Sequence, residues 1–256
     1  MNDEEQEVLD AALDLAEHLN RKPRAAIASP LMAKLQAVTA GRFRSQKKAV
    51  LKALEGAESH LQEAAKGPQT VPPVLHHAVT AALGVSFPRF TGVYNSTTGQ
   101  AYEAGSSEGA DMLGWDNEYS YERTAEQLAG ELDSTTEERL FGALTDIFGK
   151  GAGYEALVSA VANIFDDAIE SRSEATGITE ISAAWNRGVS DTAQTATDNG
   201  NDIEKRWSAE DDACEEICQP NADQDWIDFD DDFDSGDDQP PGHPNCRCSL
   251  ELRAAN

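Results

Sequence analysis

Apolar residues recur every three or four positions through much of this chain, the spacing that gives a helix one buried stripe. Residues 4–19 carry Val8, Ala12, Leu15 and Leu19 in that register. Ser29-Pro30 reads as an N-cap followed by proline in the first turn, with Leu31, Leu35 and Val38 behind it. A third helix is predicted from Ser45, burying Val50, Leu51, Leu54 and Leu61 and ended by Gly67-Pro68. Pro72-Pro73 leads into a short apolar helix reaching about Gly84. From Phe87 to Tyr119 the pattern lapses into Gly, Ser, Thr, Tyr and Asn, and an extended arm or loop is expected. Within it, Val93-Tyr94-Asn95 and Gln100-Ala101-Tyr102 could pair as a hairpin across Ser96–Gly99. Helical spacing resumes over 122–132. Ser134-x-x-Glu137 is a capping box, predicting a new helix through Leu140, Leu144, Ile147 and Phe148 to Gly149. Further helices follow over 153–170 and about 174–191, the first through Leu157, Val161, Ile164 and Phe165, the second through Ile178, Ile181, Trp185 and Val189. Trp207-Ser208-Ala209 reads as a short strand, beyond which the periodicity stops.

These elements predict a mainly α fold, with helical N-terminal and central regions and a small Cys/His-pinned α+β unit at the C-terminus. Three parts are expected: a helical region over 1–67, an extended or loop-rich connector over 68–133, and a C-terminal domain over 134–256. No run approaches the 18 apolar residues of a membrane span. The start, Met1-Asn2-Asp3-Glu4-Glu5, is acidic where a secretory leader would be basic and then apolar. The chain is therefore expected to stay inside a cell or be packed into a particle, without membrane contact.

Charge changes the picture more than composition does. The 256 residues carry a formal net charge of −27, a surface that repels nucleic acid over most of its extent. Two readings exist: halophilic adaptation, in which salt screens the repulsion, or an acidic tail for a basic partner. The acids are spread along most of the chain, which favours the first. One segment runs the other way. Arg21, Lys22, Arg24, Lys34, Arg42, Arg44, Lys47, Lys48 and Lys52 are nine cations with no acid among them. That block is either the solvated face of helices or a contact for DNA or an acidic protein.

All four cysteines lie near the C-terminus: Cys214-x3-Cys218, an acidic loop, then His243-Pro244-Asn245-Cys246-Arg247-Cys248. Two thiols three residues apart can reach one ion from a turn, and a second pair completes a tetrahedron. In an extended segment Cys246 and Cys248 face the same way. Structural zinc suits the donor set best, held by four of Cys214, Cys218, His243, Cys246 and Cys248. Disulfides from 214–218 to 246–248 and free thiols remain as alternatives. Nothing marks an open coordination position or a general base, so a catalytic ion is not expected.

The same residues carry a resemblance. Thr179-Glu180-Ile181 is followed by Ala184, Asn186 and Gly188; then come Trp207, Asp211, Asp212, Cys214 and Cys218; then Asn221, Trp226-Ile227 and Phe233. Pro240-Pro241-x-His243-Pro244-Asn245-Cys246-Arg247-Cys248 closes the series. In this order they resemble the phage Mu F-like head morphogenesis family, minor capsid proteins of tailed viruses. The resemblance is sharp from about Ser171 and does not cover the N-terminal half. It implies a virion component inside the head near the portal, made in the host cytoplasm. Its partners would be the portal protein, other capsid proteins and packaged viral DNA, with no small-molecule substrate. With the acidic composition it points to a virus of a haloarchaeal host. Thr179, Glu180, Asn186, Gly188, Trp207, Pro244, Asn245 and Arg247 are the motif residues.

Plainer roles stand beside these. Glu180 and Asn186 suit helix caps or bridges, Trp185 and Trp207 suit core, and Arg247 suits pairing with an acid. The Asp228–Asp238 run fails the calcium-loop pattern, because Phe233, Ser235 and Gly242 fall where ligands are needed. His76-His77 has no partner pattern. No phosphate-cradling Gly-Lys-Ser/Thr loop, Gly-x-Ser-x-Gly elbow or triad spacing occurs, so no enzyme is expected. The alternatives to a capsid role are a phage-borne effector and a cellular zinc-stabilised binding protein.

Overall fold

The computed structural model describes residues 3–64, 71, 73–84, 88–114, 125–150 and 154–255; among these, side chains of 3–23, 25, 59–64, 74, 88 and 148 fall outside the description. In chain order the elements are α1 (Asp3–Ala64), α2 (Pro73–Leu83), α3 (Pro88–Leu113), α4 (Ala125–Gly149), α5 (Tyr154–Asp167) and α6 (Ser173–Asp198). The last two are joined by a π-helical turn at Ala168–Arg172. Then follow β1 (Ile203–Ser208), the short α7 (Cys218–Asp223), β2 (Ile227–Asp228) and β3 (Ser249–Ala254). The fold is mainly helical with a small three-stranded C-terminal sheet. No helix among the described residues is long and apolar enough to cross a membrane.

Several helix boundaries differ from expectation, for a common reason. Local start signals lose where burial runs straight through them. Pro30 and Ser45 lie inside α1, because Leu31, Leu35, Val38, Gln46, Val50, Leu54 and Ala57 form one continuous buried stripe. A proline there forfeits one backbone hydrogen bond, and Ser45 Oγ donates to the Gly41 carbonyl instead of capping. Ser134 likewise sits inside α4. Its expected partner Glu137 accepts a hydrogen bond from Thr80 Oγ1 of α2 at 2.7 Å, while Thr135 and Thr136 bond back to the carbonyls four residues earlier.

Over Pro88–Leu113 the expected extended arm or hairpin is corrected to the 26-residue helix α3, while 87 and 115–119 lie outside the described residues. Its inward stripe is small as well as apolar: Phe90, Tyr94, Thr97, Thr98, Ala101, Tyr102, Gly105, Ser106 and Gly109 are buried at helical spacing. Glycine there permits close backbone approach, not chain reversal.

Two compact units result, each assembled from separated segments. One comprises Leu35–Ser96 and Glu122–Gly177. Its core joins Phe43 and Leu54 of α1, Leu75 and Val79 of α2, Phe90 and Tyr94 of α3, Leu140 and Leu144 of α4, and Val161 and Phe165 of α5. The other comprises Met1–Lys34, Thr97–Tyr121 and Ile178–Asn256. It holds the cysteines.

In that second unit α6 packs on α3 through the two glycines, and the sheet order is β2-β1-β3, both pairs antiparallel. Along β1 the side chains alternate, so Ile203, Lys205 and Trp207 face inward. The register sets Lys205 opposite Leu252 and Trp207 opposite Leu250. On the outer face Arg206 pairs with Glu251 and Arg253 with Glu204, and both guanidinium groups lie over the Trp226 ring, 4.7 and 4.4 Å from its centroid.

Candidate metal centre

Three local devices bring the cysteines and His243 together. Cys214 lies in the loop after β1, and Cys218 opens α7 one turn later; its backbone N–H donates to Cys214 Sγ at 3.3 Å. His243 and Cys246 flank a turn closed by Cys246 N to His243 O at 3.2 Å. Asn245 takes the left-handed conformation at that turn, φ 65°, which asparagine tolerates better than most residues. Cys248 immediately precedes β3. Cys246 and Cys248 are buried while Arg247 between them is exposed, the alternation of an extended segment. Gly242 leaves room here: a Cβ would meet Asp237 Oδ2 and Ile217 Cγ2 at 2.8 Å, so those side chains would have to shift.

Cys218 is the hub. Cys214, Cys218 and His243 place their ligand atoms within 4.8 Å of one another, and so do Cys218, Cys246 and Cys248. Cys218 Sγ lies 3.7 Å from Cys246 Sγ and 3.1 Å from His243 Nε2. Bond lengths of about 2.3 Å put two thiolates of a tetrahedral zinc site about 3.8 Å apart. A disulfide needs about 2.05 Å, and all four cysteines are free. These Cys/His groups are therefore close enough to hold a metal ion. His243 Nδ1 lies 2.8 Å from the Pro244 carbonyl. Donation there leaves the Nε2 lone pair directed at the cluster, the usual second contact of a metal-binding histidine.

The electrostatics of the thiols point the same way. Burial and the Cys248 thiol push Cys218 up to about 12. The hydrogen bond with Cys248, then burial, push Cys246 up as well. Cys248 is brought down to about 5, chiefly by the Cys246 thiol. At Cys214 burial acts upward, but the backbone N–H groups of Cys218 and Ile217 outweigh it and lower the thiol. Cys248 and Cys214 favour the thiolate, whereas Cys218 and Cys246 resist becoming anions in the buried, already charged cluster. The Trp207 indole N–H, buried without a hydrogen bond of full geometry, faces the Cys248 sulfur and helps hold it down.

The motif residues surround this cluster. Thr179 Oγ1 accepts the Asn245 N–H at 3.0 Å. Asn186, fully buried on α6, donates to the Cys248 carbonyl at 3.1 Å and accepts the Leu250 N–H at 2.9 Å. It thus grips the segment leading into β3 as a neighbouring strand would. Glu180 is buried on the same helix. Gly188 lets α3 approach, with Tyr102 O only 2.3 Å from where its Cβ would be. Trp207 packs edge-on against Phe233, centroids 5.2 Å apart. Pro244 is exposed, and exposed Arg247 has Asp212 at 3.7 Å.

The basic segment is not one surface. Arg24 turns inward, donating to the Cys248 carbonyl at 3.1 Å and lying over the Trp185 ring. Burial lowers its pKa, against the pull of Glu108. Arg42 is also buried, paired with Asp133 at 2.6 Å. Lys47 pairs with Asp166 at 2.6 Å. Lys34, Arg44, Lys48 and Lys52 are exposed. Arg21 and Lys22 lie outside the residues whose side chains are described.

Two residues at or near the cluster, Lys205 and Met112, escaped the sequence reading. Lys205 is buried, its Nζ donating to Asp238 O at 2.9 Å and lying over Phe229 and Phe233. Burial lowers its pKa, opposed by the carboxylates of Asp238 and Asp230–Asp232. A cation at an inward strand position was its signal in the sequence. Asn221 ties α7 to the acidic loop through Ser235, at 2.8 and 3.2 Å. Met112 Sδ accepts the Leu252 N–H, with no signal in the sequence.

Comparison with protein-family models, with curated proteins and with solved structures finds no match to this chain.

Proposed function

We propose that this chain is a structural, non-catalytic assembly protein of a tailed-virus head, a minor capsid or head morphogenesis component acting near the portal. In this reading a zinc ion pins its C-terminal unit. The observation that carries the reading is convergence. Motif residues scattered from Thr179 to Cys248 meet at one place. Asn186 and Thr179 hydrogen-bond to the segment that presents the cysteines, and Gly188 lets α3 lie against the helix that carries them both.

The donor set favours zinc over harder cations, since three thiols and an imidazole are soft to borderline ligands. Cys218, Cys246 and Cys248 would supply three ligands and His243 the fourth, with Cys214 accepting the Cys218 N–H. Such an ion would neutralise the crowded thiols and supply folding free energy. The portal, other capsid proteins and packaged DNA are the partners this role requires.

Quantitative mass spectrometry of purified virus particles, and of portal complexes released from them, tests the role. Presence at a few to a few dozen copies that follow the portal supports it. Absence from particles and assembly intermediates alike sinks it, and a cellular binding or effector role then takes its place. Elemental analysis of the chain purified under reducing conditions tests the zinc separately.

A further inference from the structure

The unit built from Leu35–Ser96 and Glu122–Gly177 carries an open groove of about 860 Å³ beside the second half of α1. Its floor is apolar, formed by Leu51 of α1, Tyr154 and Val158 of α5, and Ile169. Along one wall stand Arg44, Lys48 and Lys52, all exposed. Lys47 on the same wall is occupied by Asp166. In a chain of net charge −27, a concave surface with three exposed cations above apolar side chains is out of character.

We propose that this groove receives the acidic helical segment, residues 3–19, of a second copy of this chain. The complement is written in the sequence. Residues 1–20 hold seven acids and no lysine or arginine. On a helix, Asp3, Glu7, Asp10, Asp14 and Glu17 alternate by four and three and share one stripe, and Val8, Ala12, Leu15 and Leu19 form the stripe beside it. An acidic stripe flanking an apolar one matches a cationic wall flanking an apolar floor, the usual arrangement of a helix in a groove.

The segment cannot serve its own copy. Both lie on the single helix α1, and a continuous helix does not fold back against itself. Duplex DNA fits less well. Phosphates have no use for the apolar floor. Because helix and groove are different surfaces, the contact is head-to-tail and propagates into a ring or a filament. This inference stands independently of the viral reading.

Sedimentation velocity of the full chain, at the lowest ionic strength where circular dichroism shows it folded, is the test. Wild-type chain should associate as concentration rises. Lys48→Glu with Lys52→Glu, and separately Asp10→Lys with Asp14→Lys, should each weaken association at least about tenfold. Mixing the two variants should restore it, because each reversed wall then meets a reversed helix. A synthetic peptide of residues 3–19 should dissociate the wild-type assembly, and a scrambled peptide of equal charge should not. A wild-type monomer at every concentration overturns the proposal, as does undiminished association of either folded variant. A mixture that stays monomeric, or displacement by the scrambled peptide or a DNA duplex as effective as by the true one, overturns it too.

Discussion

Gly188→Ala adds one methyl group at a close backbone contact of the cysteine-bearing unit. The new Cβ would lie 2.3 Å from the Tyr102 carbonyl oxygen, 2.7 Å from the Ser106 nitrogen and 3.0 Å from Ser106 Oγ. Ordinary contact begins near 3.4 Å, so the α6 and α3 segments must part by roughly 1 Å in an interior with no slack. The obstacle is mostly backbone, so rotation of a side chain cannot relieve it. Parting also stretches three hydrogen bonds: Ser106 Oγ to Gly188 O (3.3 Å), Thr192 Oγ1 to Ser106 O (3.3 Å) and Tyr102 OH to Asp191 Oδ2 (2.8 Å). Overpacking of this kind costs about 1–3 kcal/mol, and weakened hydrogen bonds add about 1–2 kcal/mol. Better helix propensity returns up to about 1 kcal/mol. A net loss of about 2–3 kcal/mol is expected. Gly99→Ala on α3 is the control, since nothing lies within 4 Å of its added Cβ; it should gain about 0.5–1 kcal/mol. Denaturant unfolding followed by circular dichroism, in one salt condition, reads both. Midpoints moving in opposite directions support the packing; a Gly188→Ala protein as stable as Gly99→Ala would show that α3 and α6 do not meet there.

Asn186→Ala should cost about 2–4 kcal/mol, because the buried Leu250 N–H loses its acceptor. It should also lower zinc affinity in competition with a chromophoric chelator; unchanged affinity would separate this clamp from the cluster. Chelation of the wild-type chain should lower its melting temperature, and added zinc should restore it; a melt indifferent to both removes the ion from the account. Lys205→Met should destabilise by about 1–3 kcal/mol, with a larger loss in low salt as the neighbouring aspartates lose their cation, and an equal loss at all salt concentrations would contradict that cause. Arg42→Ala removes the cation beside Asp133, which keeps its hydrogen bond from Gln46, and should cost about 1.5–3 kcal/mol in thermal or chemical unfolding; a neutral result would place Arg42 on the surface after all.

How much was legible follows from what each element offers locally. The run from α5 through α6 declared itself, because Leu157, Val161, Phe165, Ile178, Ile181, Trp185 and Val189 are large, apolar and periodic. α3 did not, because the residues that mark its inward stripe at 105, 106 and 109 are glycine and serine. Their periodicity is one of size, visible only once Trp185 and Gly188 are known to lie opposite. Pro30, Ser45 and Ser134 are sound local signals overruled by burial on either side. At the site, cysteine spacing revealed which residues gather, and the alternation of Cys246 and Cys248 revealed how. Asn186 could be singled out but not understood, since its partners Cys248 and Leu250 lie more than sixty residues away. The basic block read as one surface because a sequence does not show that Arg24 and Arg42 turn inward.

Between β1 and β3, residues 209–248 contain only α7 and the two residues of β2 as regular structure. Side chains must therefore order this segment, and they do so at two points with different chemistry. Around Lys205 a buried ammonium meets Phe229, Phe233 and the Asp238 carbonyl, holding a loop whose aspartates repel one another. Salt relieves that repulsion, since at molar ionic strength the screening length falls to about 3 Å. Around Cys218 the difficulty is that buried thiols resist ionising side by side, and dissolved salt does not reach them. A ligand that bonds to sulfur would remove that second difficulty. Salt screening and the Cys/His cluster thus act on different parts of the same segment.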